Sequence, residues 1–236
     1  MYTDPSGQSF SPYYDEKGDF LGLDEKGWKG NIYITTSENF NKHKKADGTV
    51  NSKDILPFSK LISDVVGISD FAISKIYTSI LGETSYANLS KLHNGAISVY
   101  NGSSVNGVAQ GYNNPLFTGR ATTNNNFGGK INVTVHSNVS TDFTTVESVQ
   151  NYLGVHEYKG HGILNYDGGA EKGGNHYKAW ELQYKDKTFN SLSEYHKGEI
   201  INNVFKYMWN ENRNLYNSMP STNPVLYQLY LKYYKP

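Results

Sequence analysis

Residues 156–162 read His-Glu-Tyr-Lys-Gly-His-Gly, two imidazoles around an acid. Neutral imidazole nitrogens bind zinc readily, and a carboxylate beside such ligands can take a proton from water polarised by the ion. On a helix the usual form of this motif is H-E-x-x-H, with the histidines four apart on one face. Here position i+4 is Gly160, and the second histidine is His161 at i+5. An ideal α-helix advances about 100° per residue, so i+5 sits roughly 140° round from the first histidine. Side chains so placed cannot share one metal. A single π-type turn, with i→i+5 hydrogen bonding, absorbs the extra residue and restores a common face. Gly160 eases that distortion, and Gly162 can end the helix.

A second constellation follows at Asn175-His176-Tyr177-Lys178-Ala179-Trp180-Glu181-Leu182-Gln183. Asn175 can cap a helix that leaves the glycine-rich stretch 167–174. Glu181 is the preferred third ligand, because a helix-borne carboxylate after two histidines gives a His₂Glu zinc site. His176 is the rival, which would make a three-histidine site. If Glu181 binds the metal, His176 or Tyr177 is free to stabilise the oxyanion of a tetrahedral intermediate. His136 lies on the polar phase of a strand pattern, His43 sits in a charge-rich stretch, and His93 and His196 have no partners at ligand spacing. None of these four is assigned to chemistry.

The elements that must hold these residues are partly legible. Thr144-x-x-Glu147 reads as a capping box, and Val146, Val149 and Leu153 follow at helical spacing, so the active-site helix is expected around 144–161. Ile131, Val133 and Val135 alternate with polar residues as in a half-buried edge strand, which could hold an extended substrate by strand addition. Residues 31–36 alternate as a strand, 97–100 suggest another, and 52–81 carry helical apolar spacing in two pieces that part near Gly67. Residues 103–129 are rich in Asn, Gly, Thr and Ser and read as a long loop. Helices are expected near 176–185, 191–212 and 222–233, the second capped by Ser191-x-x-Glu194. Residues 1–30 are polar, glycine-punctuated and without helical periodicity.

Composition restricts the class of protein. The 236 residues carry 22 basic and 22 acidic side chains, a formal net charge of zero, which gives no long-range attraction for nucleic acid or an anionic membrane. No apolar run is long enough to span a bilayer, and no secretory signal follows Met1. With no cysteine there is neither a disulfide nor a cysteine-bearing zinc site.

Two resemblances sharpen the expectation. The H-E-x-x-G-H pattern of residues 156–161 resembles the active-site helix of the dipeptidyl peptidase III family, which carries one residue more than that of thermolysin. The resemblance covers these six residues and implies that His156 and His161 bind zinc, that Glu157 activates water, and that a glutamate on a later helix completes the site. That family's second motif, a glutamate pair followed by another acid, is not found here. In thermolysin-like enzymes an acid four residues after the ligand glutamate orients a ligand histidine; here that position is Lys185, with Asp186 one further on. At the other end, Tyr2-Thr3-Asp4-Pro5-Ser6-Gly7 is similar to the end of the core region of Rhs-type polymorphic toxins. Gly18-Asp19-Phe20-Leu21-Gly22 is similar to linkers before their C-terminal domains, and His156 to Gly162, followed by His176-Tyr177-Lys178-Ala179 and Glu181-x-Gln183, resembles the metallopeptidase domains found there. This resemblance implies a toxin domain exported within a larger secreted protein to act in a target cell, with a cognate immunity protein as partner.

The expected architecture is therefore α+β and zincin-like, a small mixed sheet beside a mainly helical body, with residues 1–30 a linker and 31–236 the peptidase domain. The expected function is zinc-dependent hydrolysis of a protein or peptide substrate. Two alternatives from other classes are a metal-dependent amidase acting on cell wall and a non-catalytic partner-binding domain.

Overall fold

A computed structural model of the chain describes residues 11–25, 27–82, 98–101, 121–127, 130–135, 143–166 and 174–234. The chain divides into two compact units, Met1–Gln150 and Asn151–Pro236, and the architecture is mixed α+β. Tyr2–Gly7, His93, His136 and most of the 167–174 stretch lie outside the described residues.

In the first unit, strands β1 (Pro12–Tyr14), β2 (Phe20–Leu23), β3 (Tyr33–Ile34) and β4 (Lys60–Leu61) form a sheet of order β2-β1-β3-β4. β1 runs antiparallel to β2 and parallel to β3. The turn between β1 and β2 is set by Asp15, whose Oδ1 accepts the Lys17 and Asp19 backbone N–H groups at 2.9 and 2.8 Å. Gly18 in that turn has φ 78°, and a Cβ there would lie 2.4 Å from the Ala72 carbonyl oxygen, so only glycine fits. Tyr13 packs with Phe40, Val50 and Ile55 in one core cluster, and Phe40 comes from α1 (Ser37–His43).

Residues 12–23, expected to be linker, are thus part of a sheet, because Tyr13 and Tyr14 are fully buried. The 52–81 stretch holds two helices, α2 (Ser52–Ile55) and α3 (Asp70–Gly82), separated by β4 and short 3₁₀ turns. Within the expected long loop lies β6 (Ala121–Phe127), in a three-stranded sheet of order β5-β7-β6 with β5 (Ser98–Asn101) and β7 (Lys130–Val135). β7, read from sequence as an edge, is the central strand: β5 pairs with it in parallel and β6 antiparallel. Its backbone groups are engaged on both sides, so strand addition cannot take place at β7. The alternation in 131–135 reports a strand but carries no information on its neighbours.

α4 (Val146–Val149) opens with a capping box one residue later than expected. Thr145 Oγ1 accepts from Ser148 N–H while Ser148 Oγ accepts from Thr145 N–H, both at 3.1 Å. Glu147 instead accepts the Gly30 N–H with both oxygens, at 2.9 and 3.2 Å. At Gln150 the helix changes to π geometry, which continues to Ile163. The Leu164 N–H donates to the Lys159 carbonyl at 3.0 Å, an i→i+5 bond.

The second unit is this π-helix followed by α5 (His176–Lys185), α6 (Glu194–Glu211), α7 (Arg213–Thr222) and α8 (Pro224–Tyr233). Ser193, not Ser191, caps α6, its side chain accepting from His196 N–H at 3.2 Å. α7 was not foreseen; Asn212 and Asn223 cap it and α8 in turn, accepting from Leu215 and Leu226 N–H.

Candidate metal centre

The π-helix and α5 lie antiparallel, because Asn151 near the start of one meets Gln183 near the end of the other, while His156 and His161 meet His176. In a helix bonded i→i+5, residues five apart recur on one face, so Asn151, His156 and His161 form a single stripe. On α5 the facing stripe has ordinary α spacing: His176, Ala179, Trp180 and Gln183. Close approach of the two helices depends on Gly160. A Cβ at this position would come within 3.0 Å of the Ala179 Cβ.

The two stripes bring three imidazoles together. His156 Nε2 lies 3.1 Å from His176 Nε2 and 3.2 Å from His161 Nε2. One ligand nitrogen from each ring lies within 4.8 Å of the others, so the cluster could hold a metal ion. With Zn–N bonds of about 2.0–2.1 Å, two nitrogens on a tetrahedral zinc stand about 3.3–3.4 Å apart. The two close separations match that to within a few tenths of an ångström. His156 is buried, whereas His161 and His176 are half-buried, which leaves the cluster approachable from one side.

Burial first, and then the neighbouring His161 and His176 rings, push the His156 pKa well below its ordinary value. Burial and His161 lower that of His176 to about 4. Both rings are therefore neutral at pH 7, the form that can donate a lone pair to a metal. Aromatic rings fix their planes: Trp180 lies against His156 at 4.3 Å between centroids, and Tyr207 of α6 against His176 at 4.2 Å. Glu157, next to the first histidine, is 7% exposed.

Glu181, the preferred third ligand by sequence, is not in this cluster; its carboxylate pairs with Lys185 Nζ at 2.7 Å. Five residues after His176 on an α-helix, it lies roughly 140° round from that histidine, the same arithmetic that a π-helix relieves at His161. Tyr177 is buried, and its backbone N–H donates to Glu211 Oε2 at 3.2 Å. Asn175, expected to cap α5, makes no side-chain cap bond; Glu211 from the end of α6 instead accepts the buried Tyr177 N–H of that first turn. His43 bonds the Asn39 carbonyl at 2.8 Å, and His196 packs edge-on to Tyr152, so neither belongs to the site.

Sequence reasoning passed over Asn151, Trp180, Gln183, Tyr207 and Glu211. Asn151 and Gln183 carried a recoverable signal, at i−5 from His156 and i+7 from His176. Tyr207 and Glu211 come from a helix whose approach only the tertiary packing sets.

No protein family, no curated protein and no solved structure matches this chain.

Proposed function

We propose that the chain is a zinc-dependent hydrolase of peptide bonds, with His156, His161 and His176 as the metal ligands and a zincin-like site helix. The observation that carries this reading is the convergence of three imidazoles, with His156 Nε2 at near-tetrahedral-ligand separations from those of His161 and His176, and with the buried Glu157 next to His156 in sequence. Three imidazoles holding the ion leave a fourth position open, as catalytic zinc sites require. Zinc bound there supplies Lewis-acid polarisation of a carbonyl and lowers the pKa of water. Glu157 takes the proton of the attacking water as its oxygen bonds to the carbonyl carbon. When the C–N bond breaks, Glu157 passes that proton to the leaving nitrogen. With His176 used as a ligand, Tyr207, whose ring packs against it, is a hydroxyl-bearing side chain beside the site. Burial and Glu211 raise the Tyr207 pKa, which keeps its hydroxyl a proton donor.

A role as an exported toxin domain with an immunity partner is proposed on the short sequence resemblances alone. Among the described residues no helix is long and apolar enough to cross a membrane.

The test is Glu157→Gln. It retains one zinc per chain and lowers the rate of hydrolysis of a casein or peptide-library substrate by at least about 10²-fold. Turnover at the wild-type rate would remove Glu157 from the mechanism. Turnover of peptidoglycan but not of peptides would move the substrate class to cell-wall amides.

A further inference from the structure

The ring of His156 lies between two polar groups. Its Nε2 faces the histidine cluster, and its Nδ1 is buried with no hydrogen-bond partner. Along the antiparallel helix pair His156 stands between His176 at one end and the Asn151–Gln183 contact at the other. The Gln183 Oε1 is likewise buried and without a partner.

The hydrogen bonds behind Gln183 have a fixed direction. Asp186 Oδ1 accepts from the Thr188 backbone N–H at 2.9 Å and from the Thr188 hydroxyl at 2.6 Å. Both donors converge on that one oxygen, so the Thr188 hydroxyl proton is committed to it. The Thr188 oxygen is therefore the acceptor for the Asn151 amide nitrogen, at 2.9 Å, and that same nitrogen donates to the Gln183 main-chain carbonyl at 3.2 Å. With its nitrogen so used, Asn151 presents its oxygen to Gln183 Nε2, at 2.8 Å. Both amide orientations follow from the carboxylate at the end of the chain of bonds. What remains of Gln183 is an oxygen, an acceptor with nothing to accept.

We propose that Gln183 is a positioning residue: its Oε1 accepts a hydrogen bond from His156 Nδ1–H and so fixes the tautomer in which Nε2 carries the lone pair for the metal. The proposal rests on the metal-site reading above. The Gln183 side chain lies close enough to the His156 ring to act on it as a hydrogen-bond partner. A ligand histidine whose second nitrogen has no acceptor is divided between tautomers, and only one of them binds. Here an amide, itself set by Asn151, Thr188 and Asp186, fills the place where an acid was sought four residues after Glu181. Asp186 acts at a distance, through three intermediaries.

The test uses the zinc-free full chain labelled with ¹⁵N, at pH 8. Long-range ¹H–¹⁵N correlation reads which nitrogen of His156 holds the proton, and competition with a chromophoric chelator reads zinc affinity. Wild type is expected to hold the proton on Nδ1. Gln183→Leu shifts it toward Nε2 and weakens zinc binding about 10–100-fold. Gln183→Glu, which keeps an acceptor oxygen, retains the Nδ1–H form. If Gln183→Leu does not fold, the wild-type and Gln183→Glu spectra decide. A wild-type proton on Nε2, or a Gln183→Leu variant with unchanged tautomer and zinc affinity within twofold, overturns the proposal. Wild-type protein with the Nδ1–H tautomer but no zinc affinity would instead overturn the metal-site reading and leave the tautomer assignment standing.

Discussion

Replacing Gly160 by alanine tests whether the approach of the π-helix to α5 is what assembles the histidine cluster. The added Cβ would stand 3.0 Å from the Ala179 Cβ and 3.4 Å from its Cα. Carbon atoms rest comfortably at about 3.5–4.0 Å, so α5 gives by a few tenths of an ångström at the least and by about 1 Å for full relief. His176 sits three residues before Ala179 on the same helix and moves with it. Its Nε2, now 3.1 Å from that of His156, would stand about 3.4–4.1 Å away, from the separation of about 3.3–3.4 Å for two ligands on one tetrahedral zinc to well beyond it. Full relief of the contact is expected to lower zinc affinity about tenfold, equivalent to about 1.4 kcal/mol. Stability should change less. Alanine gains up to about 1 kcal/mol of helix propensity over glycine, against about 1–3 kcal/mol for overpacking. Chelator competition measures the first quantity and thermal unfolding of the zinc-free protein the second. Zinc affinity within threefold of wild type in a folded Gly160→Ala protein would show that the spacing at Ala179 does not govern the site.

The remaining predictions concern the ligands and their protonation. Glu181→Ala should keep zinc stoichiometry, because its carboxylate pairs with Lys185, whereas His176→Ala should lose affinity by at least tenfold; the reverse pattern in a metal titration would return Glu181 to the ligand set. In the zinc-free protein, His156 and His176 have folded-state pKa values below the unfolded value of about 6.5. The unfolded chain therefore binds more protons on acidification, so this contribution to stability is full above pH 6.5 and is lost as the pH falls toward 4. The Tm should be flat above pH 7 and drop between pH 6.5 and 4, with a shallower slope in His176→Ala. An identical slope in that variant would refute the link.

Two of the three clustered histidines were legible because their chemistry is local: His156, Glu157 and His161 lie within six residues, and the i+5 spacing itself demands π geometry for a shared face. The extent of that geometry was not legible. One π turn suffices for the histidines, yet it runs from Gln150 to Ile163, which also draws Asn151 onto the metal face. Choosing between Glu181 and His176 needed the face that α5 turns toward its neighbour, a matter of packing and not of sequence spacing. The buried polar chain behind His156 joins residues 32 and 37 positions apart in sequence, and no local pattern announces it. In the first unit, alternation found β7 but not its place in the sheet. The polar 1–30 stretch hid two strands because the large buried side chains among its described residues are tyrosines, whose hydroxyls lower apparent hydrophobicity while their rings fill a core.

The central claim is a zinc site built by three histidines, and elemental mass spectrometry of the purified full chain tests it most directly, beside a His156→Ala, His161→Ala double variant. About one zinc per chain in wild type, and none in the variant, is the predicted result. A wild-type chain that holds no zinc, and takes up none on reconstitution at neutral pH, would contradict it.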